Sequence, residues 1–147
     1  MNPIQPEVKD KKLQCGDRSI SMLSGEVHYW RLEPHQWRPI LERVKEMGIR
    51  LVASYICWDF HELMPGKFDF TGQTDPRRNL VGFVELLTEM EFDIILRPGP
   101  YIYAEWKNNG VPDRVAHFHR LDPAFLAESE VYLEEAIKSI DTFFDTR

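Results

Sequence analysis

Three short stretches of this sequence concentrate side chains that can do chemistry. Glu26, His28, Tyr29 and Trp30 form the first; Tyr55, Trp58, Asp59, His61 and Glu62 the second; Arg97, Tyr101, Tyr103, Glu105 and Trp106 the third. Flat aromatic rings offer apolar platforms, and carboxylates accept hydrogen bonds from hydroxyl groups. A sugar has apolar ring faces and many hydroxyl donors, so this mixture suits a carbohydrate. A nucleotide would need a Gly-rich turn into a helix, and neither G-x-G-x-x-G nor G-x-x-x-x-G-K-[ST] occurs. No G-x-S-x-G elbow supports a nucleophilic serine. Cys57 reads as a small core residue rather than a nucleophile. His117 and His119 have a ligand-like spacing, but two residues apart on a short helical stretch their rings diverge. No metal and no cofactor are therefore expected.

Each group also has a purely structural reading. Tyr55 and Trp58 either cap the core or face a ligand, and their place at a strand end favours the ligand. Glu105 lies among Tyr101, Tyr103 and Trp106, which favours a carboxylate enclosed by aromatics over a solvated one. His61 and Glu62 serve the site or tie down their loop, with nothing in the sequence to decide. Arg97 is expected to pair with a strand-end carboxylate.

The elements that would position these groups follow from hydrophobic period and punctuation. Residues 11–15 and 19–23 flank Gly16-Asp17-Arg18 as a hairpin, and residues 20–29 read as the first strong strand. Trp37, Ile40, Leu41, Val44 and Met47 recur at helical spacing, which places Pro39 in the first turn and Gly48 at the stop. Residues 50–57 suit a buried parallel strand. A loop over 58–70 contains Pro65-Gly66. Asp75-Pro76 opens a second helix that buries Leu80, Phe83, Val84 and Leu87. Residues 92–97 form the third core strand. Asp122-Pro123 opens the last helix, with Leu126, Leu133, Ile137, Ile140 and Phe144 at helical spacing. Strands alternating with helices predict an α/β chain with a parallel sheet, and ligands of such folds sit at the strands' carboxyl ends. All three chemical groups fall there.

Composition bounds the rest. The chain has 147 residues and a net charge of −6, enough for one domain. Apolar residues at 43% and charged residues at 29% indicate a globular fold. The acidic balance, without a basic stripe, argues against nucleic acid or an anionic membrane as partner. No apolar run approaches the ~20 residues of a membrane span. Residues 1–12 are a polar lead-in, not the apolar core of a secretory signal. Two cysteines are too few for a disulfide scaffold, so a cytoplasmic location is expected.

Three segments resemble the start of the glycoside hydrolase family 35 catalytic domain, the family of β-galactosidases. They are Ser24-Gly25-Glu26-Val27-His28-Tyr29; Tyr55-Ile56-Cys57-Trp58-Asp59-Phe60-His61-Glu62 with Pro65-Gly66-Lys67-Phe68-Asp69-Phe70; and Leu96-Arg97-Pro98-Gly99-Pro100-Tyr101-Ile102-Tyr103-Ala104-Glu105-Trp106. The third is the most specific. The resemblance covers roughly residues 13–112 and implies a (β/α)8 barrel that hydrolyses terminal β-galactosides with retention. Residues 13–147 would be its N-terminal portion, about three βα units. A complete barrel needs ~250 residues, so the remainder of the barrel becomes an implied partner, beside the carbohydrate.

By the same resemblance, Tyr55 would line the sugar pocket, and Tyr103, Ala104 and Glu105 would contact sugar hydroxyls. The family's acid/base Glu follows an Asn at strand four and its nucleophile ends strand seven. Neither strand is expected here, so no residue is assigned a catalytic role and the chain alone is expected to be inactive. The chain departs from the family pattern at Tyr103 (usually Cys), Asp59 (usually Asn) and Asn109 (usually Gly). Three other readings remain: a freestanding carbohydrate-binding or interaction module, a complete small enzyme, and a glycosidase of a related clan with other sugar specificity. The second would pair Glu62 with Glu105, since retaining enzymes hold two carboxyls about 5–5.5 Å apart. The resemblance opposes it, giving Glu105 a binding role and Glu62 none.

Overall fold

The computed structural model describes residues 7–144. It is a mixed α/β chain with a small antiparallel sheet leading into a parallel one. Strands β1 (Glu7–Lys9), β2 (Lys12–Cys15) and β3 (Arg18–Ser21) pair in sequence order. Strand β1 lies within the stretch expected as a lead-in; its residues are exposed, so only backbone pairing marks it as a strand. Residues 1–6 of that stretch lie outside the described residues. Gly16 supplies a positive φ of 58° at the β2–β3 turn.

The strand expected over residues 20–29 divides between two sheets. Strand β3 is committed to β2, and only β4 (Ser24–Glu26) joins the parallel sheet. That sheet has the order β4-β5-β8, with β5 (Leu51–Tyr55) at its centre and β8 (Asp93–Arg97) beyond. The first four residues of β5 are buried, as a strand covered on both faces requires. Helix α1 (Pro34–Glu46) connects β4 to β5, α3 (Leu80–Glu89) connects β5 to β8, and α4 (Pro123–Ile140) follows β8.

Helix α1 starts earlier than its apolar period suggests. Glu33 and Gln36 cap each other's backbone N–H groups and Pro34 occupies the first position. Pro39 therefore sits in the second turn rather than the first. The helix buries Trp37, Leu41 and Val44, whereas Met47 is exposed. Gly48 follows with φ of 82° and turns the chain into β5. Asp75-Pro76 opens only a 3-10 turn, Pro76–Arg78. Asn79 is the true cap of α3, accepting from the Gly82 N–H at 2.9 Å. Leu80, Phe83, Val84 and Leu87 are buried on α3, as its spacing predicts.

Asp122 caps α4 by accepting from the Ala124 N–H at 2.8 Å. The buried stripe of α4 is Phe125, Ser129, Tyr132, Ala136 and Ile140, so of the expected stripe only Ile140 is fully buried. Tyr132 decides the helix's rotation. Its ring stacks on Trp58 at 5.0 Å, and its hydroxyl lies 2.8 Å from the carbonyl oxygens of both Ile56 and Pro98. Aromatic side chains of this size contribute about 1.5–3 kcal/mol or more each on burial.

The loop after β5 has its own order. A short helix α2 (Trp58–His61) runs into a hairpin of β6 (Glu62–Met64) and β7 (Lys67–Phe68), turned by Pro65-Gly66. Beyond it, the Asp69 carboxylate accepts from the backbone N–H groups of Thr71, Gly72 and Thr74 at 3.0, 2.8 and 2.7 Å. Among the described residues no helix is long and apolar enough to cross a membrane.

Candidate functional site

The strand register places Tyr55 opposite Arg97 and Glu26 opposite Ala53, so Glu26, Tyr55 and Arg97 share one face at the carboxyl end of the sheet. Arg97 forms an ion pair with Glu26, which answers the sequence expectation for it. It also donates to the Tyr55 hydroxyl at 3.0 Å, with its guanidinium 3.8 Å from the Tyr55 ring centroid. His28 stacks on Trp30 at 5.2 Å and leans on Tyr55 at 5.4 Å. Burial, aided by the Arg31 charge, lowers the His28 pKa and favours the neutral ring. Trp30 locks this layer by donating its indole N–H to the Tyr55 carbonyl at 3.0 Å.

Beside this layer opens a cleft of about 470 Å³, lined by Trp30, Arg31, Phe60, Arg77, Glu105 and Trp106. Trp106 meets Trp30 edge-on at 5.1 Å and donates to Asp59 at 2.8 Å. Lys107 stands 3.4 Å from the other Asp59 oxygen. Arg31 lies 4.8 Å over the Trp30 ring and donates to the Ala104 carbonyl. Tyr103, Ala104 and Glu105 all have left-handed φ values, of 58°, 37° and 55°. Such residues cost about 1–3 kcal/mol each and cluster at ligand-binding sites. Glu105, at the end of this bend, lines the cleft.

The structure divides the residues that the sequence singled out. Glu105 lines the cleft, but it is exposed rather than enclosed, and Tyr101 and Tyr103 do not line the cleft with it. Tyr103 is 54% exposed and stacks on Tyr101 at 6.3 Å. Ala104 contributes its carbonyl to Arg31. Tyr55 joins the Arg97 layer, and neither it nor Tyr103 lines the cleft. Trp58 is a core residue, fully buried against Tyr132 and Phe125. Cys57 is buried as well, and burial pushes its thiol pKa up to about 12, which makes it inert.

His61 and Glu62 prove to hold the loop. His61 is fully buried with Nδ1 2.6 Å from the Asp69 carbonyl and Nε2 2.5 Å from the Tyr29 hydroxyl. The carbonyl can only accept, so Nδ1 carries the proton and Nε2 accepts from Tyr29. Glu62 accepts a two-pronged pair from Arg114 at 2.9 and 2.6 Å and a third bond from Trp58 at 3.2 Å. Its side chain is 6% exposed, so it is occupied and shielded. A Glu62–Glu105 pair of free carboxylates is thereby excluded. His117 and His119 sit in turns, not on a helix, and the His119 Nδ1 already accepts from the Leu121 N–H at 3.2 Å.

Sequence reasoning missed Arg31, Phe60, Arg77 and Arg114. Arg31 and Phe60 were legible in principle, since each adjoins a strand-end cluster. Arg77 and Arg114 carry no local signal. Chemically the cleft offers two indole rings, a carboxylate acceptor and guanidinium donors, a set that fits hydroxyl-bearing rings.

A β-1,2-glucosyltransferase of Ignavibacterium album is 48% identical over 109 residues, 74% of this chain and 15% of that protein. An exo-β-D-glucosaminidase of Pyrococcus horikoshii is 42% identical over 113 residues, 77% of this chain and 14% of that protein. The β-galactosidase of Bos taurus is 35% identical over 116 residues, 76% of this chain and 17% of that protein. The chain thus spans well under a fifth of the length of these curated relatives. The sequence profile of the glycosyl hydrolases family 35 matches residues 12–147, from β2 through α4, and with the strand-end aromatics, Arg97 and Glu105 inside that span, the chain belongs to this family.

Proposed function

We propose that this chain forms the N-terminal three βα units of a family 35 (β/α)8 barrel, and that the whole protein is a retaining glycosidase acting on terminal β-D-galactosides. The observation that supports this reading is that the Tyr55–Arg97 layer and the cleft lined by Glu105 lie side by side, bridged by Trp30, past the carboxyl ends of one parallel sheet and inside the span that matches the family. In the complete barrel Tyr55 lines the sugar pocket, and Tyr103, Ala104 and Glu105 contact sugar hydroxyls. Glu105 is the strongest acceptor among them. The two catalytic carboxylates come from the remainder of the barrel, so this chain by itself hydrolyses nothing.

A nitrophenyl β-D-galactoside assay of the pure 147-residue chain tests this. No turnover is expected. Turnover lost on Glu105→Gln or Glu62→Gln would overturn the reading in favour of a complete small enzyme. A second sugar specificity has a specific observation behind it. The relatives named for glucosamine and glucose are 42% and 48% identical, against 35% for the bovine β-galactosidase. A matched panel of β-galactoside, β-glucoside and β-glucosaminide with the whole protein decides between them by kcat/KM.

A further inference from the structure

Glu105 stands in a turn that the backbone disfavours. Tyr103, Ala104 and Glu105 are successive non-glycine residues with left-handed φ, a region that L-residues enter singly rather than in runs. Backbone bonds tie the two ends of the turn. The Ile102 and Tyr103 N–H groups donate to the Asn109 carbonyl at 2.9 and 3.1 Å, and the Trp106 N–H donates to the Tyr103 carbonyl at 2.8 Å. Among the described residues one side chain reaches the middle: Arg31 donates to the Ala104 carbonyl, next to Glu105.

What Arg31 rests on gives this contact its meaning. Its guanidinium lies 4.8 Å over the Trp30 ring. Trp30 is buried, and its indole N–H donates to the Tyr55 carbonyl of β5 at 3.0 Å. Trp106, which follows Glu105, meets the same indole edge-on at 5.1 Å. Contacts therefore run without a break from the central strand through Trp30 and Arg31 to Ala104, one residue from Glu105. Arginine suits this place, because a planar guanidinium can lie with its face on a ring while its N–H edge donates. Lysine keeps the charge but not the double contact. Arg77, the cleft's other guanidinium, is held by the Asp75 carboxylate at 3.1 and 2.7 Å and takes no part in the turn.

We propose that Arg31 is a positioning residue: it holds the left-handed turn against Trp30 and so sets where Glu105 stands relative to Tyr55 and the sheet. The holding of the turn stands on the contacts alone; that Glu105 then meets a sugar rests on the glycosidase reading above. Arg31 is exposed, so Arg31→Lys leaves the core intact, and two measurements on it separate the parts. In the 147-residue chain, amide exchange followed by NMR should quicken about tenfold or more at Trp106 and stay unchanged at Val27, which donates to Ala53 in the sheet. An unchanged Trp106 amide would overturn the proposal whatever the protein acts on. In the whole protein, kcat/KM on a nitrophenyl β-D-galactoside is compared for the native chain, Arg31→Lys, Glu105→Gln and the double variant. Arg31→Lys should lower it roughly threefold or more in the native background and by less than about twofold in the Glu105→Gln background, because residues that act through one another are not additive. Additive losses would mean that Arg31 acts on the substrate by itself, and would overturn the positioning role. A native protein without turnover would defeat the glycosidase reading, and amide exchange would still decide the turn.

Discussion

Glu105 is the residue whose role is easiest to measure, because among the described residues nothing pairs with its carboxylate while Glu26, Asp59 and Glu62 are already engaged. A hydrogen bond to a charged group contributes about 1.5–3 kcal/mol, or roughly 10- to 150-fold. On the proposed glycosidase reading, Glu105→Gln in the whole protein should lower kcat/KM by about that factor and narrow the gap between matched galactosides and glucosides, whose hydroxyls differ in orientation. Unchanged rates and an unchanged ratio would return Glu105 to a solvated loop carboxylate. His61 gives a second test, on stability. Burial, with the Arg78 charge, outweighs the Asp69 carbonyl and lowers its pKa from 6.5 to about 4. The folded state thus binds the proton more weakly than the unfolded chain. Stability is full above about pH 6.5, falls as pH drops toward 4, and the loss is complete below that. The window corresponds to about 3 kcal/mol for a 6.5-to-4 shift. Urea titrations at pH 7 and 4.5 should show the loss in the native chain and a smaller one in His61→Gln; the residual includes His28, whose pKa moves the same way, and the hydrogen-bonded carboxylates Asp69 and Asp75, whose pKa values are also lowered. Equal slopes would contradict the buried neutral ring. At this scale the sequence shows which residue types gather at the strand ends. It does not show which are free, because the Arg114–Glu62 and Arg97–Glu26 partners lie 52 and 71 residues apart.

Among the elements, those announced by local chemistry were legible and those fixed by tertiary contact were not. Asp122-Pro123 starts α4 as read, since a capping carboxylate and an N1 proline act within one turn. Asp75-Pro76 has the same signal yet opens only a 3-10 turn, because Asn79 captures the Gly82 N–H and restarts the chain. The second stripe of α4 misled the burial assignment, as one sequence period cannot tell which of two apolar stripes meets Tyr132's partners. Strand β1 has no apolar alternation to reveal it. The loop of residues 108–110 explains one departure from the family pattern. Asn108, Asn109 and Gly110 have φ values of 48°, 56° and 100°. Asn tolerates the left-handed region better than any other residue except Gly, so Asn at 109 replaces the usual Gly at small cost. Asn109→Gly should change the unfolding free energy from urea titration by less than about 0.5 kcal/mol, and Asn109→Val should cost about 1–2 kcal/mol. Gly110→Ala should cost more still, since its Cβ would stand 2.5 Å from Ile102 Cγ1. A Gly110→Ala variant as stable as the native chain would remove the strain argument for this loop.

For the molecule as a whole, the parallel sheet ends in a strand with nothing beside it among the described residues. Strand β8 pairs with β5 only, and Ile95 on it is 40% exposed. Ile95 registers with Ala53, on the face that carries Glu26, Tyr55 and Arg97, where side chains would fill a closed barrel's interior. An edge strand with exposed apolar side chains is a template for pairing with another chain. The net charge of −6 opposes association but is spread over the surface, whereas the edge is local. The isolated chain should therefore associate reversibly with rising concentration, read by sedimentation velocity, and salt should strengthen the association by screening the net charge. Ile95→Lys places a cation on the edge face, a device that natural edges use, and should shift the chain toward monomer. Leu133→Asp alters the outer stripe of α4 and should leave that equilibrium unchanged. A monomer at all concentrations with a sharp cooperative melt would mean that three parallel strands and their helices already bury enough apolar surface to stand alone. The carbohydrate-binding module would then be the better description of this chain, and saturable galactose binding without turnover would distinguish it from a barrel segment.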